Sequence, residues 1–374
     1  MIRPAFDSTK QAVTFGLLLL FFLAAPWLSA KKLLPQPKGE YSAECPRWEK
    51  YPWLQKFIFE ETNDIDIAFV GSSHLAHAID TPYVQQQLDG LLGRRTVVRS
   101  VCWEGGGFDA LYFISRELLA HRHVKVLVFY DETSGNNPGE VQQYASRWFR
   151  YRDEGAALAG LPLADRAIYY FAAMVAMPRN LLALVTPNLS DVAGENPFFR
   201  YWKPDQVTDP ATVLGCLRMR LSYDSKNGII EDPHFTPYLP QTGATSADIR
   251  IYSTASASSF VFSNRPTPFF QTYFAGQFGS LARTNGCQLV FLHLPVFAER
   301  TSPVLTESCY WPGVALTEVC MMGLPGAKLF AGLSEAQLDR LYADPVHFNE
   351  NGQNYFTRLF TPALLQFYEN HATH

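Results

Sequence analysis

The feature that most constrains the fold of this 374-residue chain is a set of short apolar runs, each stopped by glycine, proline or a polar loop. Four such runs are found, at residues 65–70, 96–101, 124–130 and 288–294. The stretches around them carry apolar residues at helical spacing, at residues 82–92, 108–119 and 269–281. Nearly continuous apolar strands are typical of a parallel sheet that is buried on both faces. The alternation therefore predicts an α/β fold, a parallel central sheet between layers of helices.

The N-terminal segment is uncharged from Val13 to Ala30. As a helix with a rise of about 1.5 Å per residue, it is roughly as long as a hydrocarbon core is thick. We expect an N-terminal transmembrane helix within residues 1–30 and a linker at 31–60. A cleaved signal peptide is the alternative, because Arg3 and Lys10 precede the apolar stretch. Both interpretations export the rest of the chain.

The regular alternation lapses between about residues 140 and 265, which we interpret as an inserted segment or lid carried on a domain spanning 61–374. The apolar stretch Ile168–Leu189 lies inside this insertion. Pro178 and Arg179 interrupt it, so a buried helix pair is favoured over a second membrane span.

Composition excludes two classes of protein. Only 18% of the residues are charged and the net charge is −4, whereas binding to nucleic acid needs a concentrated basic face. The six cysteines form no CxxC pair and no zinc spacing with histidine, so a metal site is not expected. No cofactor is expected either. Cys309 and Cys320 could close a short loop in an exported chain, whereas Cys102 and Cys287 lie in or beside strand-like runs and are expected to be buried thiols.

The first candidate for chemistry is the sequence Gly71-Ser72-Ser73-His74, at the carboxyl end of the first predicted strand. In parallel sheets the functional groups collect at the edge where the strands have their carboxyl ends. A serine on the turn that follows such a strand is therefore a candidate nucleophile. The alternative is that Ser72 or Ser73 only caps the following helix. His74 and His77 either contact substrate or are simply polar residues of the first helical turn.

The second candidate is the sequence Asp344-Pro345-Val346-His347 near the C-terminus, ahead of an apolar helical run at residues 355–368. An Asp three residues before a His can accept the imidazole Nδ1–H and direct Nε2 toward a serine hydroxyl. The serine needs such a base because its hydroxyl does not ionise near neutral pH. The alternative is an incidental histidine on a surface loop.

Acyl transfer also requires donors for the developing oxyanion. Gly105, Gly106 and Gly107 follow the second predicted strand, and Asn136 and Asn137 follow the third. These residues are candidates for backbone and side-chain donors, although both groups are also typical of turns.

The strand-end serine, the glycines after the second strand, the polar loop after the third and the terminal DxxH together resemble the SGNH (GDSL-like) hydrolase superfamily. The resemblance implies a three-layer α/β sandwich with Ser73 as nucleophile, His347 as base and Asp344 as the acid of the triad. It further implies an oxyanion hole formed by Ser73, Gly106 and Asn136.

Ser72 stands where the family usually has Asp, and the chain carries an N-terminal apolar segment. In these respects it is similar to the anchored or exported SGNH proteins that work beside membrane-bound O-acyltransferases. This resemblance implies an O-acyltransferase, most simply an O-acetyltransferase, that modifies a cell-surface polysaccharide through an acyl-serine. It also implies an inner-membrane anchor with the catalytic domain in the periplasm and a membrane-bound O-acyltransferase as partner. The alternatives are a polysaccharide acyl-esterase and a non-catalytic partner that only binds glycan.

Overall fold

The computed structural model describes residues 6–30, 33, 54, 56–102, 107–130, 154–171, 249–253, 269–297, 299, 319–324 and 326–372. The strands are β1 (Ile65–Gly71), β2 (Val98–Cys102), β3 (Val124–Tyr130), β4 (Arg250–Ser253), β5 (Gln288–Leu292) and β6 (Val319–Gly323). The α-helices are α1 (Thr9–Ala30), α2 (Ser73–Ala78), α3 (Thr81–Leu92), α4 (Phe108–His121), α5 (Glu154–Ala157), α6 (Phe269–Thr284), α7 (Gly326–Leu329), α8 (Glu335–Leu338) and α9 (Glu350–His371). The chain divides into two compact units, one of residues 1–55 and 141–200 and one of residues 56–140 and 201–374.

The second unit is built on a six-stranded sheet with the strand order β2-β1-β3-β5-β6-β4. Strands β2, β1, β3, β5 and β6 are parallel, and β4 pairs antiparallel with β6 at the edge. All seven residues of β1 are buried, as expected for a strand of nearly continuous apolar sequence, and its one charged residue, Asp66, pairs with Arg94. The predicted α/β fold with a parallel central sheet is therefore confirmed.

The helices cover both faces of the sheet. Val70 of β1 pairs with Phe129 of β3, so Phe69 and Phe129 point to opposite faces, because side chains alternate along a strand. Phe69 contacts Phe360 of α9, with ring centroids 6.4 Å apart, and Phe129 contacts Phe278 of α6 at 4.2 Å. Helix α9 thus packs on one face and α6 on the other, which gives three layers.

The strand order also fixes where a site can form. The chain passes from β1 to its neighbour β2 and then returns to β3 on the other side of β1. In doubly wound sheets the loops that follow such a pair of strands diverge and leave a crevice at the carboxyl ends. The edge at which β1 and β3 end is therefore the expected position of a functional site.

The N-terminal apolar segment forms helix α1. Within the described residues, no helix has the combined length and apolarity that crossing a membrane requires, so the expected transmembrane helix is not found. Most of the linker expected at 31–60 and most of the insertion expected at about 140–265 lie outside the described residues. Those domain boundaries stay predictions.

The described cysteines are buried thiols. Cys102 and Cys287 are free, as expected, and burial raises the pKa of each thiol to about 12. Cys320, one member of the pair considered for a loop-closing disulfide, is likewise a free thiol, in strand β6. Its considered partner, Cys309, lies outside the described residues.

Candidate active site

The turn after β1 gives its two serines different tasks. Ser72 is the N-cap of α2, and its hydroxyl accepts a hydrogen bond from the backbone N–H of His74 at 3.2 Å. Ser73 is the first residue of the helix, and its hydroxyl is not used for capping. The tight turn needs Gly71, because a Cβ there would come within 2.8 Å of the Tyr130 ring and 2.7 Å of Leu75.

Helix α9 brings the C-terminal part of the chain to this turn. The Gln353 side chain donates to the carbonyl of Ala76 at 3.3 Å, and the Thr357 hydroxyl donates to the carbonyl of Ala78 at 3.2 Å. The same hydroxyl accepts from the backbone N–H of Asp80 at 2.9 Å. These bonds satisfy backbone groups at the end of α2, and they fix the start of α9 against the helix that carries Ser73.

The loop immediately before α9, residues 342–348, is here called the base loop. Tyr342 and Phe348 close it through an antiparallel bridge. Within it, one oxygen of Asp344, Oδ1, accepts the backbone N–H groups of Val346 and His347, each at 2.8 Å. The carboxylate therefore sets the turn of the loop as well as the position of the imidazole.

Ser73, His347 and Asp344 form a hydrogen-bonded chain. Ser73 Oγ lies 2.9 Å from His347 Nε2, and His347 Nδ1 lies 2.7 Å from Asp344 Oδ2. Burial would raise the pKa of Asp344, but hydrogen bonds from His347 and Val346 outweigh it and hold that pKa below its usual value. An ionised carboxylate only accepts, so the proton of the neutral imidazole resides on Nδ1 and Nε2 is left to accept from the serine hydroxyl.

Two further histidines of α2 flank His347. The ring of His77 meets that of His347 edge-on, with centroids 5.4 Å apart, and the ring of His74 does so at 6.3 Å. Burial, followed by the proximity of His347, lowers the pKa of both His74 and His77 to about 3. Both rings are neutral near neutral pH, so Asp344 is the charged partner of His347 while the two neighbouring histidines are polar and uncharged.

The base loop rests on the segment that follows β5. The Tyr342 hydroxyl donates to the carbonyl of Pro295 at 2.7 Å, and the backbone N–H of Phe297 donates to the carbonyl of Pro345 at 3.0 Å. The rings of Phe297 and Tyr342 are also in contact. These contacts tie residues 295–297 to the loop that holds the acid and the base.

A second pair of a histidine and a carboxylate stabilises that segment. His293, which is fully buried just after β5, has its Nε2 2.9 Å from Glu299 Oε2. The other oxygen of Glu299 accepts the backbone N–H of Val296 at 3.1 Å. The sequence analysis did not single out these residues, although the position of His293 at a strand end is a signal that could have identified it.

The remaining expected site residues differ in their outcome. Gly106 and Asn136 lie outside the described residues. The backbone N–H of Ser73 is at the start of α2, where an N–H has no acceptor within its own helix, so it can serve an oxyanion. Among the residues that the structure describes, no group of three or more His, Cys, Asp or Glu side chains is suited to hold a metal ion.

Neither a scan against protein-family models nor a search of curated proteins finds a match to this chain. The site is therefore described by its geometry: a serine hydroxyl, an imidazole and a carboxylate joined by hydrogen bonds at the carboxyl edge of a parallel sheet.

Proposed function

We propose that this protein is an exported O-acyltransferase of the SGNH type, which transfers an acyl group, most simply acetyl, through an acyl-serine to a hydroxyl of a cell-surface polysaccharide. The observation that carries the proposal is the pair of hydrogen bonds that link Ser73 to His347 and His347 to Asp344. The parallel sheet, and the location of the serine directly after its first strand, support the SGNH assignment.

In the first half-reaction, Ser73 Oγ attacks the carbonyl carbon of the donor ester while His347 Nε2 takes the hydroxyl proton. The tetrahedral intermediate then collapses, the bond from carbon to the donor oxygen breaks, and the departing alcohol takes the proton from His347. The acyl group remains on Ser73. Asp344 keeps the imidazole in the required tautomer and stabilises its positive charge in the intermediate state.

In the second half-reaction, His347 takes the proton of the acceptor hydroxyl, and the acceptor oxygen attacks the acyl-serine. Collapse of this intermediate releases the acylated sugar, and Ser73 recovers its proton from His347. If water occupies the acceptor position, the same steps hydrolyse the ester. The choice between a transferase and an esterase therefore depends on the acceptor.

The donor and the location follow from the resemblance and from the sequence. We propose a membrane-bound O-acyltransferase as the source of the acyl group and a polysaccharide as its acceptor. The uncharged apolar segment at residues 13–30 supports an extracytoplasmic location. No nucleic acid, metal or organic cofactor is needed for the steps above.

The first experiment traps the intermediate. The purified chain is treated with p-nitrophenyl acetate, and the acetylated peptide is located by mass spectrometry. We expect the acetyl group on Ser73 and none in Ser73→Ala. The matched control is Ser72→Ala, which loses the helix cap at a cost of about 0.5–2 kcal/mol but keeps the nucleophile, and should still be acetylated.

A second measurement separates transfer from hydrolysis. Trapped acetyl-enzyme is mixed with oligosaccharides, and the appearance of acetylated sugar is compared with the release of acetate. Faster loss of the acetyl group to sugar supports the transferase, and release of acetate alone supports the esterase. A folded wild-type protein that is not acetylated at all would contradict both and favour a protein that only binds glycan.

A further inference from the structure

His74 lies at the centre of the site, although the mechanism above gives it no task. It follows the nucleophile directly in helix α2, and only 3% of its surface is exposed. Its ring stands edge-on to two others, that of His347 at 6.3 Å and that of Tyr130 at 6.0 Å. The imidazole is therefore enclosed between the base and the end of strand β3.

Neither ring nitrogen of His74 has a hydrogen-bond partner among the described residues, and neither is accessible to solvent. Buried polar atoms in native proteins are nearly always paired, because an unpaired one loses its bonds to water and gains nothing. An apolar side chain of similar size would fill the same space without this penalty. Relative to such a side chain, a histidine with both nitrogens unpaired is expected to lower the stability of the protein, and unlike the equally unpaired Ser115 it stands beside His347.

The position of His74 next to His347 indicates what the imidazole does. Burial and the nearby His347 keep the pKa of His74 far below neutral, so His74 does not take a proton that belongs to the base. A neutral imidazole has a strong dipole, which can stabilise a cation close by in surroundings that exclude water.

We propose that His74 is a positioning residue of the acyl-transfer site, which fixes the ring of His347 and stabilises the positive charge that His347 acquires in each half-reaction. The inference rests on the proposed function, because it requires His347 to become protonated as Ser73 attacks. His74 acts through the base and makes no bond to the substrate. Its loss should therefore slow the chemical step and leave binding of the reactant unchanged.

The test is the rate at which a fluorophosphonate labels Ser73, a reaction that needs the activated serine but neither acyl donor nor glycan. In His74→Leu we expect the maximal labelling rate to fall about 10- to 100-fold, less than the roughly 10²- to 10³-fold caused by loss of a donor in direct contact with the reacting atoms. The probe concentration that gives half-maximal rate should not change. The Tm should stay equal or rise, because two unpaired buried nitrogens have been removed.

The matched control is Ser115→Ala. Ser115 lies in α4, is fully buried, and its hydroxyl has no partner in the described part of the chain, but α4 carries none of the proposed site residues. This variant should also keep or raise the Tm, with the wild-type labelling rate. Should His74→Leu fail to fold, His74→Phe, which keeps an aromatic ring, somewhat larger than imidazole, and removes the nitrogens, is measured in the same way.

The outcomes separate the two proposals. Labelling of the wild type together with wild-type labelling rates in a folded His74 variant would overturn the role of His74 alone. A higher half-saturating concentration with an unchanged maximal rate would overturn it as well, since it indicates contact with the reactant. A folded wild type that is not labelled at Ser73 would overturn both the acyl-transfer site and this inference.

Discussion

The two oxygens of the Asp344 side chain have different partners, and this allows their roles to be tested separately. Oδ1 accepts two backbone N–H groups of the base loop, whereas Oδ2 accepts the imidazole proton of His347. In Asp344→Asn, the amide oxygen can retain the first role, but the amide NH₂ replaces Oδ2 and donates. The proton of His347 must then move to Nε2, which no longer accepts from Ser73.

We therefore expect Asp344→Asn to lower the rate of Ser73 acylation by about 10⁴-fold, the loss typical of a triad forced into the wrong tautomer. The Tm should change little because the backbone bonds of the loop persist. Acetylation kinetics and thermal unfolding measured on one preparation check both statements. A rate within tenfold of the wild type would mean that the carboxylate does not orient the base.

Single residues also mark where the sequence was informative and where it was not. The sequence identified the Ser72-Ser73 turn, Asp344 and His347 as candidates because strand-end position and DxxH spacing are local patterns, and the resemblance then selected Ser73. It left open whether Ser72 or Ser73 caps the helix, since capping depends on the φ and ψ angles of the turn. It also left open whether His74 contacts substrate or is simply a polar residue of the first helical turn, a choice that depends on packing against Tyr130 and His347.

At the level of elements, the base loop depends on its contact with the segment after β5. Tyr342→Phe keeps the ring but removes the hydroxyl that donates to the carbonyl of Pro295. We expect a loss of about 1–3 kcal/mol in the free energy of unfolding, because the bond is buried and its acceptor is left unpaired. The acylation rate should fall as well, because the loop carries both Asp344 and His347.

The matched control for this variant is Tyr355→Phe. Its hydroxyl donates to the carbonyl of Leu329 at 3.1 Å, is also buried, and lies outside the base loop. Denaturant unfolding should show a similar loss of stability in both variants, whereas acetylation kinetics should slow only in Tyr342→Phe. Equal rates in the two variants would show that this contact does not position the base.

Elements differed in how well the sequence predicted them. Strands β1, β3 and β5 fall on runs of apolar residues, and α4 and α6 fall on stretches with helical spacing. Strands β4 and β6 were not predicted. They are only four and five residues long, and β4 lies within the irregular stretch at 140–265. The pairing of β4 with β6, and of β6 with β5, comes from tertiary contacts rather than from a local pattern.

For the molecule as a whole, the sequence could predict the fold class, because strands buried on both faces of a sheet carry nearly continuous apolar runs and the helices around them carry apolar residues at helical spacing. It could also predict that the turn carrying Ser73 meets the loop carrying Asp344 and His347, but only through the resemblance to the SGNH superfamily. The physical cause is visible in the contacts of α9, whose Gln353 and Thr357 bond to the backbone of α2. No local pattern in the sequence predicts these hydrogen bonds, since the bonded residues are 277 and 279 positions apart.

The stability of the whole protein should depend on pH because the fold keeps His74 and His77 neutral. Burial lowers the pKa of both from 6.5 to about 3, so between these values the unfolded chain binds protons that the folded protein does not. Their contribution to the free energy of unfolding is fully present above pH 6.5. It is lost as the pH decreases toward 3, by at most about 1.4 kcal/mol per pH unit for each histidine. Denaturant unfolding of the wild type should show this decrease between neutral pH and about pH 5.

In His74→Leu the decrease should be about half as steep, since one of the two groups has been removed. Ser115→Ala, which removes an unpaired buried group that does not titrate, should keep the wild-type slope. Identical slopes in the wild type and in His74→Leu would mean that the buried imidazole is protonated as easily in the folded protein as in the unfolded chain.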